Sequence, residues 1–421
     1  MSGTPAGIRG RLTAIPVYYG WLVVAVCFGT LTVTFGTIYS FGVFFSHILA
    51  EFGLTHADTA GIFSLQSIVT FGSGTVLGVV IDRYGARRLA AIAAALGGVG
   101  LIGASQLSSA LGLTVAYGIV AAAGFSIAIV IGYVTPSQWF ERRRGLAIGL
   151  STAGGGAGLL LMPPVASWLI ASVGWQRAYL VLTGLFLGML LLTVIVIADR
   201  PTTFAAVPAN EFANGPPEGA GPTQSWRGRL SAILPVVTSG PFVLIVVGFL
   251  LAFLPNYMVL VHLVEHATAE GLGRGVGVAA LSAIGVTNVV GKTVGGAASD
   301  RVGTLPSVTA CIVAMAGGTI GLALGRTTPT ILTMAVVFGL GYGGSLALLT
   351  PLLADFFGTL DLNILFGITM LAFAVAGSLG PYLAGVGFDT FGSFVPVMVG
   401  GGVVGLVGCG AILLAPRFSS R

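Results

Sequence analysis

Leu180 to Ala198 reads L-V-L-T-G-L-F-L-G-M-L-L-L-T-V-I-V-I-A, with no charged residue and apolar side chains on every face. At 1.5 Å per helical residue it reaches about 28 Å, close to the roughly 30 Å hydrocarbon core of a bilayer. Lipid offers no partner for a bare amide, so only helices and closed barrels cross it. Barrel strands alternate apolar and polar residues over about ten positions. This stretch does not alternate, and it predicts a membrane-spanning helix.

Comparable stretches recur along the chain. Hydrophobic types make up 55% of the 421 residues, charged types only 7%, and the mean hydropathy is +1.01. A soluble domain spends about a quarter of its residues on charge, which excludes water as the main solvent here. The expected spans are 17–45, 57–81, 89–108, 111–137, 145–172 and 175–198, then 239–266, 273–299, 306–325, 329–353, 363–388 and 393–415. The expected fold class is therefore an all-α membrane protein of twelve transmembrane helices in two pseudo-symmetric six-helix halves. Residues 1–198 and 239–421 form the halves. The interval 199–238 holds Pro201, Pro208, Pro216, Pro217 and Pro222 and reads as a flexible linker, with room for a short interfacial helix near Trp226.

Cys27, Cys311 and Cys409 all lie in apolar segments, which argues against a disulfide framework. The first apolar segment is too long for the core of a cleaved signal peptide and is expected to be retained. The formal charge of +5 reports orientation and lends nucleic-acid binding no support. Sorting the arginines into alternating loops puts fourteen on one side, and only Arg177, Arg274 and Arg326 on the other. Both termini and the linker should then be cytoplasmic in a multi-pass protein of the cell membrane.

The halves echo each other. Gly78 opens G-V-V-I-D-R-Y-G-A-R-R after the second span, and Gly296 opens G-A-A-S-D-R-V-G after the eighth. Thr135 and Pro136 precede Trp139 and Phe140 just as Thr350 and Pro351 precede Phe356 and Phe357. Such internal repeats are usual in transporters, which move a small solute between related halves.

The Gly78–Arg88 stretch resembles the loop motif of the major facilitator superfamily, and the resemblance implies a gating role for Asp82 and Arg83. Asp300 and Arg301 are their counterparts in the second half. Positive-inside signalling alone would explain the basic residues but not the repeated G-x-x-x-D-R. Within that superfamily, W-F-E-R-R-R-G-L-A-I-G-L-S-T-A-G (Trp139–Gly154) and A-D-F-F-G-T-L-D-L-N-I-L-F-G (Ala354–Gly367), with Leu379–Gly385 and Asp389, resemble the monocarboxylate transporter family and its bacterial oxalate and formate exchanger relatives. Gly20 and Trp21 are similar to that family's first-helix signature, where Tyr18 and Tyr19 replace an acidic start.

Every carboxylate and arginine falls in a loop or near a span end, whereas Lys292, the sole lysine, lies eight residues before Asp300. That places it about 12 Å inside the span end. Such a lysine costs at least about 2.5–3.5 kcal/mol unless it meets a wet cavity or a counter-charge. Snorkelling to the headgroups is the bland alternative, but the distance is long for the side chain. The missing anion is most simply the substrate. The resemblance agrees, for the family places a carboxylate-gripping arginine on this helix, and N-V-V-G-K (Asn288–Lys292) matches its spacing with lysine in its place. Lysine keeps the charge and loses the bidentate fork.

Asn288 stands one helical turn from Lys292, on the same face, so one ligand can meet both; interhelical hydrogen bonding explains it equally well. Relatives carry an acidic residue there that takes part in proton coupling. Tyr117, Tyr133, Tyr257, Tyr342 and Phe366 lie on helices that line the cavity in this fold, with Tyr117 and Tyr342 favoured, although membrane aromatics more often pack or anchor. Tyr39 aligns with a lysine of the family's animal members.

His262–His266 matches H-x-x-E-H in letters but is expected to be a solvated helix end. Gly291–Thr293 lacks the glycine and strand of a phosphate loop, and glycine runs such as Gly154–Gly158 suit close helix packing. No enzyme chemistry, metal or cofactor is expected. The expectation is a monomeric carrier of a small organic anion in membrane lipid, most simply a lactate- or pyruvate-like monocarboxylate, by proton symport or anion exchange. A drug or neutral-metabolite exporter and a transporter-like nutrient sensor are the rivals.

Overall fold

The computed structural model describes residues 19–73, 77, 80–81, 83–140, 143–197, 233–358 and 362–418. All regular structure among them is helical. The first half contains α1 (Tyr19–Phe52), α2 (His56–Gly72), α3 (Ala86–Gln106), α4 (Ala110–Trp139), α5 (Arg144–Val173) and α6 (Trp175–Val196). The second contains α7 (Gly240–Ala269), α8 (Arg274–Val302), α9 (Thr304–Leu324), α10 (Thr328–Phe357), α11 (Leu362–Phe391) and α12 (Val395–Leu414). Eleven helices among the described residues are long and apolar enough to cross a membrane. The other, α2, is described as helix to Gly72, and Gly78 and Asp82 lie outside the described residues. So do the proline-rich stretch and Trp226.

The outer surface confirms the solvent. Val99, Leu111, Trp168 and Val407 are each more than half exposed, which suits hydrocarbon and not water. Polar side chains turn inward or back onto their own helix, as where the Thr34 and Thr37 hydroxyls donate to carbonyls four residues earlier.

Helix pairing repeats between the halves. α1 packs on α5 as α7 packs on α11, α3 on α6 as α9 on α12, and α2 on α4 as α8 on α10. Three of the pairings that join the halves are extensive: α2 with α11 and α5 with α8, which exchange under the same correspondence, and α1 with α7, which maps onto itself. The α5–α8 approach is close enough to require glycine. A Cβ on Gly285 would lie 2.8 Å from the Leu159 carbonyl carbon and 2.8 Å from the Leu160 Cα. The Gly154–Gly158 run of α5 turns both its ends to α1 and its middle, Gly156, to α8, so the close-packing expectation holds there.

Two expectations need correction. The first span was expected to end near residue 45, yet α1 continues to Phe52 after a turn at Ser40. The polar Ser46–His47 pair reads as a loop, but Arg274 of the other half reaches both side chains and the backbone between Ser40 and Phe44, giving that turn of helix partners. The His262–His266 segment is not solvated. α7 runs on to Ala269, both imidazoles are 0% exposed, and their Nε2 atoms lie 2.9 Å and 3.1 Å from the carbonyls of Pro381 and Leu322. α9 and α11 cover what sequence alone leaves as a helix end.

Candidate anion site between the halves

α8 presents its functional face because Gly285, Gly291 and Gly295, and the glycines that face it on α10, let neighbours come close. A Cβ on Gly343 of α10 would lie 2.7 Å from the Asn288 carbonyl carbon, and one on Gly291 would lie 2.9 Å from the Leu340 carbonyl carbon. Backbone-to-backbone packing on this side fixes the rotation of α8 and turns Asn288 and Lys292 toward α5 of the first half.

Lys292 is ten residues from the end of α8 at Val302, about 15 Å along the axis. Its Nζ donates to the carbonyl of Thr152 on α5 at 3.1 Å, so the ammonium reaches across the halves and not toward a helix end. No ion pair involves it among the described residues. One neutral carbonyl leaves two of its three N–H bonds available. Asn288 is 3% exposed, and its Nδ2 has no hydrogen-bond partner. Buried amide donors are paired in the great majority of cases. Two donors on adjacent turns, one charged and both under-satisfied, are what an anionic or carbonyl oxygen would complete.

Tyr342 of α10 and Tyr39 of α1 meet across the same interface, hydroxyl to hydroxyl at 2.9 Å. Tyr133 and Tyr257 are within electrostatic reach of that pair. Phe35 stacks on Tyr39 at 5.7 Å and Phe253 meets Tyr342 edge-on at 6.0 Å, so the phenols stand on an apolar floor. Phe366 is partly buried against the core. Tyr117 is placed elsewhere. It sits on a π-helical turn (Ala116–Ala121) inside the first half, ringed by Phe41, Phe125 and Tyr179 at 5.4–6.1 Å.

Of the gating residues, Asp82 lies outside the described residues. Arg83 is exposed with its guanidinium 5.5 Å over the Tyr84 ring, and Asp300 and Arg301 are exposed at the end of α8. At the opposite end the halves are joined by contacts that sequence reasoning did not find. Asp389 of α11 accepts from the first turn of α2, and Arg274 of α8 donates to Val43 of α1. Asp389 figured in the sequence only as part of the family resemblance, with no partner. Tyr39 was visible as a substitution for lysine, without its partner.

The model of the Major Facilitator Superfamily matches residues 26–381. Human monocarboxylate transporter 11 is 28% identical over 417 residues, covering 95% of this chain and 83% of the relative. Monocarboxylate transporter 13 of Rattus norvegicus is 24% identical over 404 residues, covering 96% and 90%, and monocarboxylate transporter 3 of the same species is 27% identical over 371 residues, covering 87% and 74%. Among solved structures, a bacterial homolog of the human lysosomal transporter Spinster, inward-facing and unoccupied, superposes with a TM-score of 0.68 at 13% identity, covering 96% of this chain and 97% of that one. That likeness is one of fold.

Proposed function

The chain belongs to the major facilitator superfamily, and on that premise we propose that it carries a small organic anion, a lactate- or pyruvate-like monocarboxylate, by alternating rocking of its two halves. Members of this superfamily are transporters and not enzymes. One observation carries the substrate class: an unpaired ammonium on Lys292, one turn from the unpartnered Nδ2 of Asn288, both facing the other half. A carboxylate would bring the counter-charge that no protein side chain supplies among the described residues, and would lower the cost of burying the lysine. The names of the similar monocarboxylate transporters support the same class.

Lysine grips one oxygen as a point charge, leaving Asn288 free to donate to the second oxygen or to a neighbouring carbonyl or hydroxyl. Asn288 cannot carry a proton. Coupling therefore runs either through exchange of one anion for another or through a proton that leaves Lys292 when the site is empty. The basic-residue asymmetry supports a cell-membrane orientation with cytoplasmic termini. Asp82, Arg83, Asp300 and Arg301 would then gate the cytoplasmic end, in a carrier that works as a monomer.

A thermal-shift screen of the purified protein against simple carboxylates and matched neutral solutes tests the class, because a ligand that binds only the native state raises its stability. Stabilisation by carboxylates and not by their amides is expected. The reverse pattern would favour a neutral-solute exporter, and binding without flux in liposomes would favour a sensor.

A further inference from the structure

We propose that Asp389 is a latch that holds one end of the bundle shut by capping a helix of the opposite half. Its Oδ1 accepts from the His56 backbone N–H at 3.1 Å and lies 3.0 Å from the His56 Nδ1, and its Oδ2 accepts from the Ala57 N–H at 2.9 Å. His56 and Ala57 open α2, and the first N–H groups of a helix have no partner within it. The hydroxyl of the cap residue Thr55 accepts from the Asp58 N–H, and its carbonyl takes the Thr59 N–H. The remaining donors of that turn thus receive their acceptor from α11, more than three hundred residues away in sequence.

Three further features make the contact specific. A carboxylate at a helix N-terminus is favoured by the helix dipole, and its hydrogen bonds are charge-assisted. Gly385, one turn before Asp389, lies where a Cβ would be 2.7 Å from the His56 carbonyl carbon, so α11 meets the start of α2 backbone to backbone. The His56 ring packs on Phe388 at 4.0 Å, with Phe45 of the first half and Phe394 of the second about it. Beside this contact Arg274 makes the second strap to α1, donating to the Ser46 hydroxyl at 3.4 Å and to the Val43 carbonyl.

The Asp389 and His56 side chains are 29% and 17% exposed, so water can replace each lost bond when the halves part. That suits a contact broken and remade every cycle, where a fully buried ion pair would be a lock. Asp389 touches no substrate and is a positioning residue. The proposal rests on the carrier reading, in which the halves rock, but not on what is carried.

The test is pulsed electron–electron distance measurement in nanodiscs, with spin labels at Glu51 and Thr390, exposed positions on either half at this end. The background replaces Cys27, Cys311 and Cys409, and lactate binding is measured on the same samples. In Asp389→Ala the long-distance population should rise about tenfold, the effect of losing charge-assisted hydrogen bonds. The isosteric Asp389→Asn, which keeps the fold and one acceptor, should fall between. In vesicles Asp389→Asn should change the maximum rate more than the half-saturating concentration. Distance distributions unchanged in both variants would overturn the latch. A shift in distances without lactate binding would uphold the latch and sink the anion reading instead.

Discussion

The Tyr39 and Tyr342 hydroxyls face each other at 2.9 Å across the boundary between the halves, each on a side chain at most 6% exposed. Each is the other's hydrogen-bond partner, so the two helices that carry them, α1 and α10, are coupled in this conformation. Rocking the halves must break the pair, and a bound oxygen could take its place on either phenol.

Removing one hydroxyl strands the other in an apolar setting, while removing both leaves two phenyl rings. Tyr39→Phe and Tyr342→Phe should each lower thermal stability by about 1–2 kcal/mol, and the double variant should lose less than the sum. Melting curves of the four proteins form the cycle. Strict additivity would mean the pair contributes no coupling.

Asn288 makes the opposite prediction for stability. Its Nδ2 is already unpartnered, so Asn288→Leu removes an unsatisfied donor at nearly constant volume. The melting temperature should hold or rise, while lactate affinity falls about tenfold, the worth of one hydrogen bond to a charged group. Calorimetry on the wild type and the variant reads both quantities.

Gly343 tests the packing that aims the site. Its missing Cβ leaves room for the Asn288 backbone, so Gly343→Ala must push α10 from α8. A loss of about 1–3 kcal/mol is expected, as in other overpacked interiors, together with weaker anion binding because Lys292 turns with its helix. Gly410, whose Cβ would meet nothing within 4 Å, is the control and should tolerate alanine with a change within about 1 kcal/mol, the helix-propensity difference.

The spans were legible in the sequence because each is a continuous apolar run, and most ends fall within a few residues of expectation. Where the first span outran it, and where the end of the seventh proved buried and not solvated, polar residues had their partners on other helices, which periodicity cannot register. Lys292 was legible because a lone charge in an apolar run violates the local rule. Asp389 and Arg274 were not, since a charge at a span end is ordinary until the opposite half is seen against it. Tyr117 shows the limit from the other side: a tyrosine on a cavity-lining helix can face the interior of its own half.

For the gate expected at the other end, Asp82→Asn should slow turnover more than it weakens binding, because the sequence puts Asp82 just past the expected second span (57–81), away from the midplane. Vesicle flux separates the two. An unchanged maximum rate would remove Asp82 from the cycle.

Carboxylate uptake by Lys292→Ala, Lys292→Gln and Lys292→Arg in liposomes, with folding verified for each, tests the anion site most directly. Alanine and glutamine remove the counter-charge without orphaning a protein carboxylate, so both should fold and both should lose carboxylate binding and transport. Arginine keeps the charge and should retain some transport with an altered preference, because its fork grips two oxygens where lysine grips one. Near-native carboxylate uptake by Lys292→Ala would contradict the assignment and leave a neutral solute as the substrate.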